Sequence, residues 1–446
     1  MNGFAEYIRN YTNGRSVCLL GFGREGRATY RILEKYCTPS KLAVSDRNPI
    51  DREKNGLPDS VELITGEDYQ SCLDDYDIVF KSPGIVLDKA PSELKCELTS
   101  ETQVFFTVFR ELIIGITGTK GKSTVTSLIY HILDKSGKDC RIAGNIGIPV
   151  FEIAEGMKDE TLAVVELSCH QLEYMTVSPK TAVFLNLYEE HLDHYGTIEN
   201  YYNAKKNIYL HQQSGDLLLI NGKLIPDGIP SDIVTISQSD SNADVFVESG
   251  IIRAEVDYAI PTDRIKLLGI HNHYNIGIAY EICRRYGITE EQFTSALCSF
   301  DPLSHRLEYV DTVRGVRYYD DSISTACATA IEAVKSVPEA ATILVGGMDR
   351  GIDYTSLVEF LAHTDVNVIC METSGKRVYD MIQASDFADK QRVHYVQHLD
   401  GAVKLASEIT PSGKSCVLSP AAASYGIFRN FEERGDAFKK LVSELK

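Results

Sequence analysis

Residues 113–125 read Ile-Ile-Gly-Ile-Thr-Gly-Thr-Lys-Gly-Lys-Ser-Thr-Val, and the architecture on either side follows from this pattern. An apolar run leads into a glycine-rich turn, and Ser123-Thr124 then opens a segment with apolar residues at helical spacing. This order predicts a strand, a phosphate-binding loop and a helix. The backbone N–H groups of residues 118–123 and the positive end of the helix dipole would face an anion there.

Two side chains in this loop carry the expected chemistry. Lys122 can neutralise the charge of β- and γ-phosphates, and the Ser123 hydroxyl can ligate Mg²⁺. The strict Walker pattern is not met, because Ile116 stands where that pattern has its first glycine. An ordinary glycine-rich turn is the alternative to a nucleotide site. We predict that ATP or GTP binds with magnesium through Gly118, Thr119, Lys120, Gly121, Lys122, Ser123 and Thr124.

Composition narrows the class of protein. A chain of 446 residues suggests two to four domains, at ~100–200 residues each. The chain has 63 acidic and 45 basic residues, which gives a net charge of −18. This negative charge argues against non-specific binding to nucleic acid or anionic membranes, because basic surface supplies most of the affinity in such binding. The 11 cysteines are scattered without a Cys-x-x-Cys pair, which favours a reducing cytoplasm. We expect neither a signal peptide nor a membrane span.

The first 100 residues have the pattern of a small Rossmann-like domain. An apolar strand candidate at 17–20 precedes Gly21-Phe-Gly-Arg-Glu-Gly26, and Asp46 lies twenty residues further on. Glycines in such a turn let the backbone approach a diphosphate, with an acid at the tip of the next strand. A tight turn without a ligand is the alternative. Another strand, 77–80, ends at Ser82-Pro-Gly84.

Residues 101–302 are predicted to form the nucleotide domain. A buried strand at 161–166 ends on Glu166, a candidate Mg²⁺ ligand, although it could be a surface glutamate. Another strand, 181–186, opens onto residues 189–194, Glu-Glu-His-Leu-Asp-His, which form either a metal site or a solvated loop. Lys205 and Lys206 lie on a predicted helix over 201–209. Asn272 and Asn275, before a predicted helix over 276–283, could contact adenine or cap that helix.

Residues 303–446 repeat the alternation of strands and helices beyond Asp301-Pro302. Strand candidates occur at 317–319, 341–345, 366–371 and 416–418, and a helix begins at Cys327. The predicted fold class is therefore α/β, with three domains.

Six motifs in one order resemble the Mur ligases over nearly the whole chain. They are the loop at 115–124, Glu166-Leu-Ser168, residues 186–191, Gly269-x-His-Asn-x-x-Asn275, His305-Arg-Leu-Glu308 and Asp321-Ser322. The resemblance implies a Rossmann-like N-terminal domain, a central P-loop ATPase domain with a parallel sheet, and a C-terminal Rossmann-like α/β domain. It also implies an ADP-forming ligase of peptidoglycan precursor synthesis, the process on which bacterial cell walls, cell shape and cell division depend.

Four features are most similar to the family members that add D-glutamate to UDP-N-acetylmuramoyl-L-alanine. They are the compact first domain, Glu166-Leu-Ser-Cys-His-Gln-Leu-Glu173, Gly346-Gly-Met-Asp-Arg350, and Leu418-Ser-Pro-Ala-Ala-Ala-Ser424 with Asn430-Phe-Glu-Glu-Arg-Gly435. In such members a substrate carboxylate attacks the γ-phosphate of ATP, and an amine then attacks the acyl phosphate. The resemblance implies a cytoplasmic monomer that uses ATP and two Mg²⁺ ions and binds small substrates but no nucleic acid.

The resemblance also implies roles for individual residues. Catalytic roles fall on Lys122, Glu166, His191, Lys205, Arg306 and Asp321. Metal ligands would be Ser123, Glu166, His191 and Lys205 as a carbamate. Further nucleotide contacts would come from Asn272, Asn275, Arg306 and Asp321. The UDP substrate would meet Arg24, Glu25, Asp46, Arg47, Ser82, Gly84, Asn145, Ser168, Gln171 and His191. The amino acid would meet Thr325, Arg350, Ser424 and Phe431.

Two departures from the family pattern leave alternatives open. Ile323 stands where many members have a lysine, and Cys169-His170 replaces the commoner Ser-Phe. A related ligase that adds another amino acid, such as L-glutamate, is therefore an alternative. Further alternatives within the superfamily are a ligase that adds alanine or a diamino acid and a folylpolyglutamate synthetase, but the compact first domain and the Ser-Pro-Ala ending weigh against them. A P-loop NTPase without ligase activity would give Arg306 and Asp321 no role. A dinucleotide-dependent oxidoreductase would leave the Gly-Lys-Ser-Thr loop unexplained, and a non-catalytic UDP-sugar binder would require a dead metal site.

Overall fold

The computed structural model describes residues 3–446, which form three β-sheets of five, nine and six strands with helices between them. The predicted α/β class is confirmed. The chain divides into two units: one contains residues up to Ile260 together with Tyr274–Leu297, and the other contains Pro261–His273 and Cys298–Lys446. The first two sheets belong to the first unit. The domain boundaries at 100/101 and 302/303 stay predictions.

The first sheet is wholly parallel, with strand order β3-β2-β1-β4-β5. Its elements are α1 (Gly3–Thr12), β1 (Ser16–Leu20), α2 (Arg24–Tyr36), β2 (Lys41–Asp46), β3 (Glu62–Thr65), β4 (Ile78–Lys81) and β5 (Glu97–Thr99). The strand order reverses beside β1, so the glycine turn that follows Leu20 lies at the point where such sheets bind ligands.

The second sheet is parallel from β7 to β12 and ends in an antiparallel edge. Its strand order is β14-β13-β12-β11-β10-β9-β6-β8-β7. The elements are α3 (Glu101–Phe109), β6 (Ile113–Thr117), α4 (Lys122–Lys135), β7 (Cys140–Gly144), α5 (Val150–Ala154), β8 (Leu162–Glu166), α6 (Cys169–Leu172), β9 (Thr181–Phe184), α7 (Leu192–Tyr195), α8 (Ile198–Lys206), β10 (Leu217–Asn221), β11 (Asp232–Ser237), β12 (Val245–Glu248), β13 (Ile251–Arg253), β14 (Tyr258–Ala259), α9 (Ile270–Arg285) and α10 (Glu290–Ser299).

The third sheet has strand order β15-β16-β20-β17-β18-β19, and only β15 is antiparallel. Helices cover both faces, since Ile343 packs into one buried cluster and its neighbour Leu344 into another. The elements are β15 (Glu308–Val313), β16 (Val316–Asp320), α11 (Cys327–Ser336), β17 (Ala340–Val345), α12 (Thr355–Ala362), β18 (Asn367–Met371), α13 (Glu372–Ala384), β19 (Val393–Val396), α14 (Leu399–Ile409), β20 (Ser415–Leu418) and α15 (Phe431–Glu444).

Several predicted element boundaries were wrong. Helix α9 begins at Ile270, so Asn272 and Asn275 lie on the helix rather than before it. Helix α8 starts at Ile198 and ends at Lys206 rather than at residue 209. Strand β9 ends at Phe184 rather than at Asn186. The described helices include none that is both long enough and apolar enough to cross a membrane.

Aromatic rings join α1, α3 and α5 in the core of the first unit. The ring centroid of Phe4 lies 5.1 Å from that of Phe151 and 5.9 Å from that of Phe109. Phe105 stacks obliquely on Phe109 at 4.9 Å and is fully buried. These contacts hold α3, which directly precedes the phosphate loop strand, against its neighbours.

We predict that Phe105→Ala lowers the free energy of unfolding by about 3–5 kcal/mol, because it leaves a cavity where a buried ring was packed. Urea unfolding followed by circular dichroism measures the change. Ile225→Ala is the control. Because Ile225 is 51% exposed, this substitution should lower the free energy of unfolding far less. Equal losses in the two variants would contradict the assigned core.

Candidate active site

Backbone geometry makes glycine necessary in the loop between β6 and α4. Gly118 has a φ of 152°, and a Cβ there would lie 2.8 Å from the Cβ of Leu185. Gly121 caps the N-terminus of α4 in the left-handed region, with a φ of 86°. Residues with side chains would be strained at both positions. The glycine spacing therefore reflects the shape of this loop.

Asn186, to which the sequence analysis assigned no role, holds the loop in place. Its Oδ1 accepts hydrogen bonds from the backbone N–H groups of Thr119, at 3.2 Å, and Lys120, at 2.9 Å. Its Nδ2 donates to the Lys120 carbonyl at 3.0 Å. The expectation that every N–H group from 118 to 123 faces an anion is therefore wrong for these two. Asn186 follows a buried strand, and that position was the available signal.

The Lys122 side chain folds back over the loop. Its Nζ donates to the carbonyl oxygens of Gly118 and Thr119, each at 3.0 Å. Burial lowers the pKa of Lys122, and the nearby Glu166 opposes that shift. Ser123 and Thr124 form the first turn of α4 directly after it. The loop thus presents a cation and a hydroxyl beside a helix N-terminus, which is the arrangement that binds phosphates.

Among the predicted metal ligands, Glu166 is a buried carboxylate whose surroundings indicate a bound cation. It ends β8, is only 1% exposed, and accepts a hydrogen bond on Oε1 from the Asn145 side chain at 2.7 Å. Its Oε2 is buried and has no hydrogen-bond partner among the described residues. A buried carboxylate oxygen left unpaired is costly, and a divalent cation would satisfy it. The residues present therefore fit a bound Mg²⁺.

Lys205 is a buried amine beside the same loop. Its side chain, 1% exposed, donates to the Gly118 carbonyl at 2.9 Å and approaches the Thr117 hydroxyl at 3.4 Å. Burial first, and then the positive charge of Lys122, lower the pKa of Lys205 to about 7. Two lysines therefore share one carbonyl oxygen, and at neutral pH Lys205 is a mixture of amine and ammonium.

The predicted cluster over residues 189–194 does not form one site. Glu190 pairs with Lys120 of the phosphate loop, whereas His194 lies 3.2 Å from Glu173. His191 is exposed and caps α7 with a φ of 56°. Its ring centroid is 5.2 Å from that of His170. Burial first, and then His194 and His191, lower the pKa of His170 to about 4, so its ring is neutral at neutral pH.

Five of the residues predicted to bind the UDP substrate line one cavity of about 200 Å³. They are Arg24, Glu25, Asn145, Ser168 and Gln171. The Gln171 amide donates to Glu25 Oε1 at 2.8 Å, and burial raises the pKa of Glu25 to about 7. Because Asn145 also contacts Glu166, this cavity borders the candidate metal site. Lys81, missed by the sequence analysis, lies nearby, and burial lowers its pKa to about 8.

The other residues predicted to bind the UDP substrate surround the glycine turn after β1. Asp46 Oδ2 accepts from the Phe22 N–H at 2.8 Å. Ser82 Oγ donates to the Gly21 carbonyl at 3.0 Å. Arg47 is exposed and pairs with Glu67 at 3.4 Å. Gly84 is exposed in the loop after β4. Asp46 thus braces the turn through a backbone N–H.

In the second unit, Asp321 lies in a buried polar network. Ser324 and Ser419 donate to its Oδ2 at 2.5 and 2.8 Å, and the Leu307 N–H donates to Oδ1 at 3.3 Å. Burial raises the pKa of Asp321 to about 6. Arg306 is partly buried in the preceding loop.

The remaining predicted contacts occupy varied surroundings. In the second unit, Asn272 donates from its side chain to the Leu268 carbonyl at 2.7 Å. In the first unit, Asn275 Oδ1 lies 3.0 Å from where a Cβ on Gly121 would be. Of the predicted amino-acid contacts, Thr325 and Arg350 are exposed, Phe431 is partly buried and Ser424 is buried.

Comparison with known proteins extends these observations. Residues 116–283 match the model of the Mur ligase middle domain. The chain is 32% identical to a UDP-N-acetylmuramoylalanine–D-glutamate ligase of Lactobacillus helveticus, over 98% of this chain and 99% of that one. A protein with the same name from Geobacillus kaustophilus is also 32% identical, over 97% and 98% of the two chains.

Solved structures share the fold. MurF ligase from Thermotoga maritima in complex with ADP aligns with a TM-score of 0.60 and 16% identity, over 98% of this chain and 97% of that one. UDP-N-acetylmuramate-alanine ligase MurC from the same organism aligns with a TM-score of 0.60 and 17% identity, over 97% and 100% of the chains. Together with the full-length sequence relatives, these findings show that the chain belongs to the Mur ligase family.

Proposed function

We propose that this protein is an ADP-forming ligase that adds D-glutamate to UDP-N-acetylmuramoyl-L-alanine during peptidoglycan precursor synthesis. The observation that carries the proposal is the phosphate loop, whose Lys122 lies beside a buried Glu166 with one unpaired carboxylate oxygen. The names of the full-length relatives support the choice of substrates. The protein would act as a cytoplasmic monomer. Its domains would be residues 1–100, 101–302 and 303–446.

The reaction couples ATP cleavage to amide formation. A carboxylate does not react with an amine at neutral pH until it carries a leaving group. The alanine carboxylate of the UDP substrate attacks the γ-phosphorus, the bond to the β–γ bridging oxygen breaks, and ADP leaves. The neutral glutamate amine then attacks the acyl carbon, the nitrogen loses a proton to solvent, and phosphate departs as the amide forms. Lys122 stabilises the charge that develops on the transferring phosphoryl group.

We propose that two Mg²⁺ ions are held by Ser123, Glu166, His191 and the carbamate form of Lys205. Bound there, the ions would supply charge neutralisation for the phosphates and the substrate carboxylate. The unpaired oxygen of Glu166 supports this role. Glu166 also orients the Asn145 amide, which borders the cavity proposed for the UDP substrate.

Lys205 would serve as a carbamate. Its neutral amine attacks CO₂, an N–C bond forms, and the nitrogen loses a proton. A pKa near 7 supports this step because part of the amine is unprotonated at neutral pH. The conversion replaces a cation that repels Lys122 with an anion able to ligate Mg²⁺.

Other proposed roles rest on the family resemblance. The UDP group would bind around the turn over residues 21–26, with Arg24, Glu25, Asp46, Arg47, Ser82, Gly84, Asn145, Ser168 and Gln171. The nucleotide would contact Asn272, Asn275, Arg306 and Asp321. D-Glutamate would contact Thr325, Arg350, Ser424 and Phe431, with Arg350 clamping a carboxylate through two parallel hydrogen bonds.

The test of the proposed function is phosphate release from Mg-ATP in the presence of UDP-N-acetylmuramoyl-L-alanine. D-Glutamate, L-glutamate, glycine, L-alanine and a diamino acid are added in turn. Release only with D-glutamate is expected. Release with L-glutamate instead would favour a ligase of altered amino-acid specificity. The observation that supports this alternative is Ile323, which stands where many family members have a lysine. Release without any amino acid would indicate an NTPase.

We predict that Lys122→Ala lowers turnover by at least ~100-fold, the scale for losing one transition-state donor. Lys135→Ala, at the exposed end of the same helix, should retain near-normal turnover. Steady-state phosphate release measures both variants. A near-normal rate for Lys122→Ala would contradict the assigned role.

Lys205→Ala should lose activity that a small added carboxylate, such as acetate, partly restores. Lys206→Ala, the neighbouring residue on the same helix, should stay active without rescue. Turnover with and without acetate gives the comparison. Full activity of Lys205→Ala without acetate would rule out the carbamate role.

The carbamate should also depend on pH. Folding lowers the pKa of Lys205 to about 7, so its amine is mostly neutral above that pH and becomes protonated as the pH falls through it. With ¹³C-bicarbonate, a carbamate carbon signal is expected by NMR, and it should weaken on acidification. The Lys205→Ala variant, as control, should lack the signal. A signal of equal intensity in that variant would place the carbamate elsewhere.

A further inference from the structure

Three side chains with metal-binding atoms converge at the end of α6 and on α7. His170 lies on α6, Glu173 follows its last residue, and His194 lies on α7. One donor atom from each lies within 4.8 Å of the other two. His194 Nε2 is 3.2 Å from both carboxylate oxygens of Glu173. None of the three belongs to the metal site proposed above.

We propose that His170, Glu173 and His194 form a transition-metal site, for which Zn²⁺ is the best-fitting ion. Two imidazoles and one carboxylate are a ligand set that zinc takes with its fourth position open. Magnesium instead prefers oxygen ligands, so the site is chemically distinct from that of Glu166. Donors around a tetrahedral zinc lie about 3.3 Å apart, given bonds of about 2.0–2.1 Å. His194 Nε2 lies 3.2 Å from the Glu173 carboxylate oxygens, which is close to this distance.

Local structure prepares the three groups for one ion. His170 and Glu173 are three residues apart in helical backbone, so they lie on one face of the turn. Tyr195 Oη lies 3.3 Å from His170 Nδ1, which would fix the ring and leave Nε2 as the ligand. His170 and His194 approach edge to face, with ring centroids 4.5 Å apart.

Access to the ion would come from a cavity beside these ligands. Glu173, His194 and Tyr195 line a cavity of about 530 Å³, together with Asn200, Asn203 and Lys206 of α8. The Glu173 and His194 side chains are 16% and 12% exposed, so part of each is open to solvent. The open fourth position would hold water from this cavity.

The ion would tie α7 to α6. His191 caps α7, three residues before His194, so a zinc ion on His194 would restrict the backbone at His191. This consequence alone rests on the proposed function, in which His191 is a magnesium ligand. Zinc binding itself does not depend on ligase activity.

The test measures Zn²⁺ binding to the metal-free full-length protein by competition with a chromophoric chelator, in excess Mg²⁺. One Zn²⁺ per chain is expected. His170→Phe, Glu173→Gln and His194→Asn should each weaken binding by at least ~10-fold, since each loses a ligand. His363→Asn removes an exposed histidine elsewhere and should leave binding unchanged. If His170→Phe, Glu173→Gln and His194→Asn all bind zinc as tightly as the His363→Asn control, the proposal is overturned. It is also overturned if the wild-type protein binds no zinc.

The absorption spectrum of the Co²⁺-substituted wild-type protein gives a second readout that needs no variant. Tetrahedral bands in the visible range without an intense thiolate charge-transfer band are expected. Such a charge-transfer band would mean that the ion lies instead on Cys169, His170 and His191, which also fall within 4.8 Å of one another. That result would overturn the assignment. Circular dichroism of each variant establishes that it is folded.

Discussion

The central physical constraint in this protein is the balance of buried charge around one backbone carbonyl. Lys122 and Lys205 both donate to the Gly118 carbonyl oxygen. Glu166, buried nearby, has an oxygen with no partner among the described residues. Like charges in a poorly solvated site repel one another, and an unpaired carboxylate oxygen is costly. The polyphosphate of the proposed nucleotide would offset the repulsion between the two lysines. The proposed divalent cations would pair with the free oxygen of Glu166.

The same constraint explains how the proposed chemistry is organised. The carboxylate of Glu166 orients Asn145, and Asn145 lines the cavity that Gln171 and Glu25 also border. A substrate seated there would place its reacting group beside the phosphate loop without a separate scaffold. Loop shape comes from Gly118, Gly121 and the side chain of Asn186. Positioning of this kind supplies most of the catalysis in phosphoryl transfer.

Local patterns in the sequence predicted much of this arrangement. Glycine spacing identified the loop because Gly118 and Gly121 adopt positive φ angles that residues with side chains rarely adopt. Strands such as β3 were missed because its four residues are only partly buried or exposed, so no apolar alternation marks them. The start of α9 was missed because His271 to Asn275 are polar and resemble a cap.

Tertiary contacts set the remaining features, and no local pattern encodes them. The hydrogen bond from the Lys120 N–H to Asn186 joins residues that are 66 positions apart in the sequence. The low pKa of Lys205 depends on burial and on Lys122, which is distant in the chain. Fold class and family membership are confirmed, whereas the individual site roles stay predictions.

In the proposed reaction, ATP cleavage at this loop activates a carboxylate. The most direct measurement uses UDP-N-acetylmuramoyl-L-alanine labelled with ¹⁸O in its carboxylate, with Mg-ATP and D-glutamate, and mass spectrometry of the released phosphate. Attack by the carboxylate on the γ-phosphorus predicts that each turnover transfers one ¹⁸O to phosphate. Phosphate free of ¹⁸O, formed together with ADP, would mean that water attacks instead and would contradict the account.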